Sequence, residues 1–381
     1  MSWGWIFGGV PLLAWIYLLL GRGFFWLARE RDDKDEIFTE RERWPSVTAI
    51  VPARNEADVL SRSLASLLQQ NYPGRFRVRL IDDQSTDGTA DVAKSFGKTD
   101  RLEIISGVPR PVGWTGKPWA MSQGVDAPPG DCPDYFWFTD ADIAHSPDNL
   151  RRLVARAERD GLALTSLMAK LRCSNFLEHA MIPAFVFFFS MLFPFGRVNE
   201  PARRVAAAAG GCMLVRRESL EAIGGIKSIR QEIIDDCALA RLIKPKGRIW
   251  IGLTNRAVSL RGYASLSEVR GMISRSAYAQ LRYSMVALAA TIVGMAIVYI
   301  SAPFVAVFAW NSAQIAGWGT WLLMCIAYQP MLRFYRLSPI WGFALPFVAA
   351  AYAVFTIDSA VQFWRGRGGM WKGRAQAVGA A

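Results

Sequence analysis

The stretch Tyr135-Phe136-Trp137-Phe138-Thr139-Asp140-Ala141-Asp142 constrains this chain more than any other, because an apolar run stops abruptly in a pair of closely spaced carboxylates. Four successive aromatic residues put large apolar groups on both faces of an extended chain, which predicts a central parallel strand with helices on each side. Side chains at i and i+2 of a strand share a face. Asp140 and Asp142 are therefore expected to point the same way, just past the carboxyl end of the strand, where open α/β sheets hold their ligands. Neighbouring carboxylates repel unless a cation neutralises them, and their hard oxygens suit Mg²⁺ or Mn²⁺ with a substrate diphosphate completing the shell. A bare Asp-x-Asp also serves as a turn or a helix cap. Here the aromatic strand precedes it, and His145-Ser146-Pro147-Asp148 opens a helix over Asn149 to Arg159.

The segments around it alternate between strand and helix. Val47 to Val51 reads as a strand ending in Pro52-Ala53-Arg54-Asn55-Glu56, and Val59, Leu60, Leu64, Leu67 and Leu68 have helical spacing. Val78 to Ile81 is a second strand, running into Asp82-Asp83-Gln84-Ser85-Thr86-Asp87-Gly88-Thr89; a helix over Thr89 to Phe96 and a strand over Leu102 to Ile105 follow. Gly116-Lys117 opens the helix ahead of the aromatic strand, where Lys117 either meets phosphate or is an ordinary solvated lysine. Further strands are expected at Leu162 to Leu167 and Met213 to Val215, the second preceded by the small residues Ala206 to Gly211, where a ligand can approach the backbone closely. Asp235 and Asp236 stand at the start of a helix over Cys237 to Ile243; the helix dipole favours carboxylates there, but capping needs only one. The pattern is an α/β fold with a mainly parallel central sheet and a ligand crevice along one edge.

Apolar residues concentrate outside this pattern. Trp3 to Leu20 carries no charge and is long enough to span a bilayer, as an uncleaved anchor; Ser284 to Trp310, Ile315 to Met331 and Ile340 to Phe363 contain only Asp358 as a charged residue. The net charge of +12 is then explained by Lys and Arg beside membrane segments: Arg22, Arg29, Arg31 and Lys34, then Arg333 and Arg336, then Arg365, Arg367, Lys372 and Arg374. By the positive-inside rule the α/β domain is expected on the cytoplasmic side of the membrane, and one late run, Ile340 to Phe363 with Pro346 inside it, is expected to be re-entrant or interfacial. Phe176 to Phe195 is dense in phenylalanine and short for a crossing, so it is either an interfacial segment or a buried core helix. The expected organisation is an anchor at 1–28, a solvated charged linker at 29–44, the α/β domain at 45–282 with an interfacial segment at 176–196, a transmembrane or re-entrant bundle at 283–364, and a basic tail at 365–381. No basic stripe with interleaved aromatics suggests nucleic acid. Five cysteines without a C-x-x-C pair and only two histidines argue against a zinc site or a disulfide framework.

Taken together and in order, these motifs resemble the family 2 glycosyltransferases of GT-A fold, over roughly Pro45 to Tyr283. The resemblance implies a nucleotide site from Pro52, Ala53, Asn55, Glu56, Asp82, Asp83, Lys117 and Asp140, and a metal site of Asp140 and Asp142 for Mg²⁺ or Mn²⁺. It further implies an acceptor-lining patch at Gly210, Gly211 and Cys212. Asp236 matches the family's catalytic base, with Asp235 standing where a glutamate is usual. Arg282 fits the arginine of the family's Gln-x-x-Arg-Trp motif, and Tyr283 replaces its tryptophan, which implies transfer of a single sugar rather than polymer synthesis. The anchor, the C-terminal apolar bundle and Trp371-Lys372-Gly373-Arg374 look closest to the hopanoid-biosynthesis-associated glycosyltransferases, relatives of ceramide glucosyltransferase. The implied partners are a UDP-sugar and a membrane lipid. A catalytically silent lipid-binding scaffold and a metal-dependent nucleotidyltransferase are the readings from other classes.

Overall fold

The structure is a computed structural model and describes residues 3–33, 42–97, 99–127, 132–310, 312–370 and 372–373. Lys34, Trp371 and Arg374, singled out from the sequence, lie outside these residues. The chain forms two compact units, one of residues 30–172 and 197–262, the other of 1–29, 173–196 and 263–381.

The first unit is mixed α/β, built on one eight-stranded sheet of order β3-β2-β1-β4-β7-β6-β8-β5. The strands are β1 Val47–Ala53, β2 Phe76–Asp82, β3 Leu102–Ser106, β4 Tyr135–Phe138, β5 Ile143–His145, β6 Leu162–Lys170, β7 Met213–Arg216 and β8 Arg248–Ser259. Pairing is parallel across β3-β2-β1-β4 and between β6 and β8, and antiparallel where β7 joins β4 to β6 and where β5 meets β8. All four residues of β4 are buried, as an aromatic strand covered on both faces must be. Its neighbour on one side is nevertheless antiparallel.

Two expectations change. The extended strand stops at Phe138, and Asp140 to Asp142 form a turn in which Ile143 N–H donates to the Asp140 carbonyl before the chain enters β5. Strand alternation therefore does not orient the two aspartates; the turn does. The charged segment after residue 29 is also not a solvated linker where it is described. Asp32 N–H donates to Leu253 O and Leu253 N–H to Glu30 O, so Glu30 to Asp32 lie alongside β8. Asp32 is buried there, accepting from Thr254 Oγ1 at 2.9 Å and from Arg256 at 3.1 Å. β8 itself is hard to read from the sequence because Gly252, Asn255 and Arg256 interrupt its apolar alternation.

The second unit is helical. Helix Phe176–Leu192 starts with a capping box in which Asn175 and Glu178 serve each other's backbone N–H groups. Glu178 also accepts from Tyr263 N–H at 2.7 Å. Ser274 Oγ donates to Asp358 at 2.9 Å, and Tyr278 N–H to Ser359 Oγ at 2.9 Å. These bonds explain why residues 263–282 pack with the C-terminal helices, whereas the sequence grouped them with the α/β domain. Among the described residues two helices, Met285–Phe308 and Pro339–Trp364, are long and apolar enough to cross a membrane. The expected span at 315–331 is not in that class. The expected anchor Trp3–Leu20 is helical with Pro11 inside; the side chains of residues 3–7 lie outside the described residues, and Gly8–Leu20 is apolar. Helix Ser312–Phe334 is diluted by Ser312, Gln314, Thr320 and Gln329.

Candidate functional site

The first edge of the site comes from register. β1 and β2 run parallel with Ala53 opposite Asp82, so the segments after both strands emerge together. They then lock to each other through backbone donors. Asn55 N–H donates to Ser85 Oγ at 3.0 Å, Thr86 N–H to Asn55 Oδ1 at 2.9 Å, and Glu56 N–H to Thr89 Oγ1 at 2.8 Å. Asn55 and Gln84 hold positive φ angles of 50° and 55° in the two tight loops. Asp82 Oδ1 accepts from Ser85 N–H at 3.2 Å. Asp83 is fully buried beside Arg54, whose Nη1 lies 3.7 Å from Asp83 Oδ2. Pro52 and Ala53 shape this edge as the last residues of β1.

The second part is an acidic cluster around one lysine. Lys117, in the first turn of helix Gly116–Val125, places Nζ 2.6 Å from Asp140 Oδ1 and 3.5 Å from Asp235 Oδ2. Asp235 Oδ2 has no hydrogen-bond partner among the described residues, so this ion pair is its compensation. Asp235 and Asp236 begin helix Asp235–Ile243, and Asp236 accepts from Cys237 N–H at 2.7 Å and from Gly210 N–H at 2.7 Å. Gly210 is needed for this approach. A Cβ there would stand 2.9 Å from Lys117 Nζ and 3.2 Å from Asp236 Oδ2. Burial disfavours the Lys117 cation, yet Asp140, Asp235 and Asp236 outweigh it and hold the ammonium above its usual range. Burial first and the Asp235 charge second push Asp236 up to about 6, against Lys117 and its two N–H donors. A carboxylate poised near neutrality and fixed by backbone donors is equipped to take a proton from an incoming nucleophile.

Asp142 has a separate cation. Arg261 Nε lies 3.0 Å from Asp142 Oδ2, while its Nη2 lies 2.6 Å from Glu56 Oε2. Sequence reasoning missed Arg261, since it follows the unrecognised β8. Among the described residues no three His, Cys, Asp or Glu side chains converge as a ready metal cage. The half-exposed Asp140 and the turn to Asp142 instead fit a hard cation that takes one or two carboxylates and completes its shell with substrate oxygens.

Gly211 and Cys212 continue the Gly210 loop. Thr139 Oγ1 donates to Gly211 O at 2.9 Å and contacts His145 Nε2 at 2.8 Å; Asn149 Nδ2 lies 3.0 Å from His145 Nδ1. Burial lowers His145 to about 3, so the ring is neutral and joins the Asp140 turn to the Gly210 loop. The Cys212 thiol points away from solvent, accepting from Trp137 Nε1 at 3.3 Å, and burial pushes it up to about 12. Any part Cys212 takes at the loop is through its backbone. Arg282 lies in the helical unit with φ of 52°.

Residues 48–224 match the family described as Glycosyl transferase family 2. Two 4,4'-diaponeurosporenoate glycosyltransferases of Staphylococcus aureus, from strains RF122 / ET3-1 and USA300, are each 31% identical over 202 residues, 51% of this chain and 50% of theirs. The chain thus spans about half the length of the curated relatives it matches. The structure of a mannosyltransferase from Pyrobaculum calidifontis, in complex with GDP-Man and Mn²⁺, superposes with a TM-score of 0.57 at 18% identity, covering 92% of this chain and 99% of that one.

Proposed function

We propose that this protein transfers one sugar from a nucleotide diphosphate donor, a UDP-sugar, to the hydroxyl of a membrane lipid of hopanoid type, with inversion at the anomeric carbon. The observation that carries the reading is the meeting of Lys117, Asp140, Asp235 and Asp236 beside Gly210. Asp236 takes the proton of the attacking hydroxyl, a role typically worth about a hundred- to ten-thousand-fold in rate. An acceptor hydroxyl needs such a base, whereas a carboxylate of the kind named for the Staphylococcus aureus relatives arrives without a proton to lose. Lys117 places positive charge where the departing diphosphate develops negative charge. Asp140 and Asp142 would hold Mg²⁺ or Mn²⁺, which when bound neutralises the leaving diphosphate. The loops at Asn55 to Glu56 and Asp82 to Asp83 form the nucleoside end of the site. Gly210 and Gly211 leave room for the acceptor. The two long apolar helices and the flanking basic residues support a cytoplasmic-membrane location.

The test is incubation of the purified full chain with labelled UDP-sugars and membrane lipids. A labelled glycolipid is the expected product. Transfer of the nucleotide, or no transfer to any lipid, rejects the reading.

A further inference from the structure

β5 and β8 are antiparallel, with Ile143 opposite Ser259. That register sets the residues just beyond the paired ends next to each other, Asp142 on one side and Leu260 and Arg261 on the other. Leu260 N–H donates to the Asp142 carbonyl at 2.8 Å, which pins Arg261 above the Asp140–Asp142 turn. The guanidinium then bridges Asp142 and Glu56, two acids from motifs far apart in the chain. Their side chains are 16% and 10% exposed, but the Arg261 side chain that joins them is 37% exposed. A cation that neutralises two sunken carboxylates while itself reaching solvent is placed where a charged ligand meets it first. Its planar fork is the side chain best matched to two phosphate oxygens.

A divalent cation on Asp142 and the Arg261 guanidinium compete for the same carboxylate. We propose that Arg261 is the donor-diphosphate clamp of this site, held on Asp142 and Glu56 until a divalent cation displaces it toward the phosphates. The proposal rests on the reading of the site as one for a nucleotide diphosphate sugar. Its consequence is thermodynamic coupling. The cation alone must dislodge a bound guanidinium, whereas cation and diphosphate arriving together offer that guanidinium a new anion, so each ligand strengthens the other.

The experiment measures Mn²⁺ binding by electron paramagnetic resonance without nucleotide, and UDP or GDP binding by calorimetry at saturating Mn²⁺, on the full chain in detergent. Arg261→Ala should bind bare Mn²⁺ about tenfold more tightly and UDP with Mn²⁺ about tenfold more weakly, the size expected for losing charge-assisted hydrogen bonds. Arg261→Lys keeps the charge without the fork. It should leave bare Mn²⁺ binding near wild type, still weaken UDP, and remain informative if the alanine variant does not fold. Wild-type UDP affinity in both variants, or bare Mn²⁺ binding no tighter in Arg261→Ala, overturns the clamp. Failure of the wild-type protein to bind either nucleotide with Mn²⁺ overturns the donor-site reading itself, and is distinct from an unaffected variant.

Discussion

Lys117 Nζ stands 2.6 Å from Asp140 Oδ1, so the first turn of one helix neutralises a carboxylate from the turn after β4. The same ammonium faces Asp235 at 3.5 Å and raises its own proton affinity by doing so. One cation therefore ties the proposed donor side of the cluster to the proposed base side.

Replacing that cation tests the tie. Lys117→Met removes the charge shared by Asp140, Asp235 and Asp236 while keeping most of the side-chain volume. Breaking a buried pair from one side costs about 3 kcal/mol or more. A denaturant midpoint close to wild type would mean that solvent already screens the three acids.

Asp236→Asn should lower turnover by about a hundred- to ten-thousand-fold while nucleotide affinity survives. Calorimetry with UDP and Mn²⁺ beside a transfer assay separates the two effects. Near-normal turnover would remove Asp236 from the role of base.

The pH dependence of activity and of stability should oppose each other at Asp236. The base works ionised, so turnover should fall about tenfold per pH unit below its value of about 6 and level off above it. Its folded value is raised from 3.8, so its contribution to stability is complete below 3.8 and is lost as pH rises through about 6. A pH-rate profile with no break near that value would contradict the assignment.

His145 runs the other way. Burial lowers it from 6.5 to about 3, so its contribution to stability is present above 6.5 and is lost as pH falls toward about 3. The slope expected from one such group is roughly 1.4 kcal/mol per pH unit. His145→Gln should flatten the acid limb of urea unfolding midpoints; an unchanged limb would assign the acid sensitivity elsewhere.

Gly210→Ala should fold but turn over slowly, because the added methyl displaces Lys117 Nζ and Asp236 Oδ2. Misplacement on this scale costs about ten- to a hundredfold in rate. Gly211→Ala provides the contrast. Its methyl meets Ala169 and Ile143 in the sheet, so its penalty should appear in stability before activity.

Much of this was legible along the chain. Strands at Val47, Phe76, Leu102, Tyr135, Leu162 and Met213 follow from local apolar patterning, and so does the helix that begins beside Asp235. The acidic positions and Gly210 stand out along the chain as well, although a turn or a helix cap would account for some of the acids. β8 was not legible, since Gly252, Asn255 and Arg256 mask its alternation and its pairing with β6 carries bulges.

Periodicity reports only a residue's near neighbours, so the sequence determined which carboxylates exist and at which strand ends they fall. Which cation each one meets was decided by tertiary register. Arg261 and Asp142 are 119 residues apart in the chain and adjacent only because β8 lies against β5. Lys117 reaches Asp140 and Asp235 only because three separate strand and helix ends converge on one edge of the sheet. The same applies to the unit boundary at Tyr263, set by a hydrogen bond to Glu178 that no local pattern encodes.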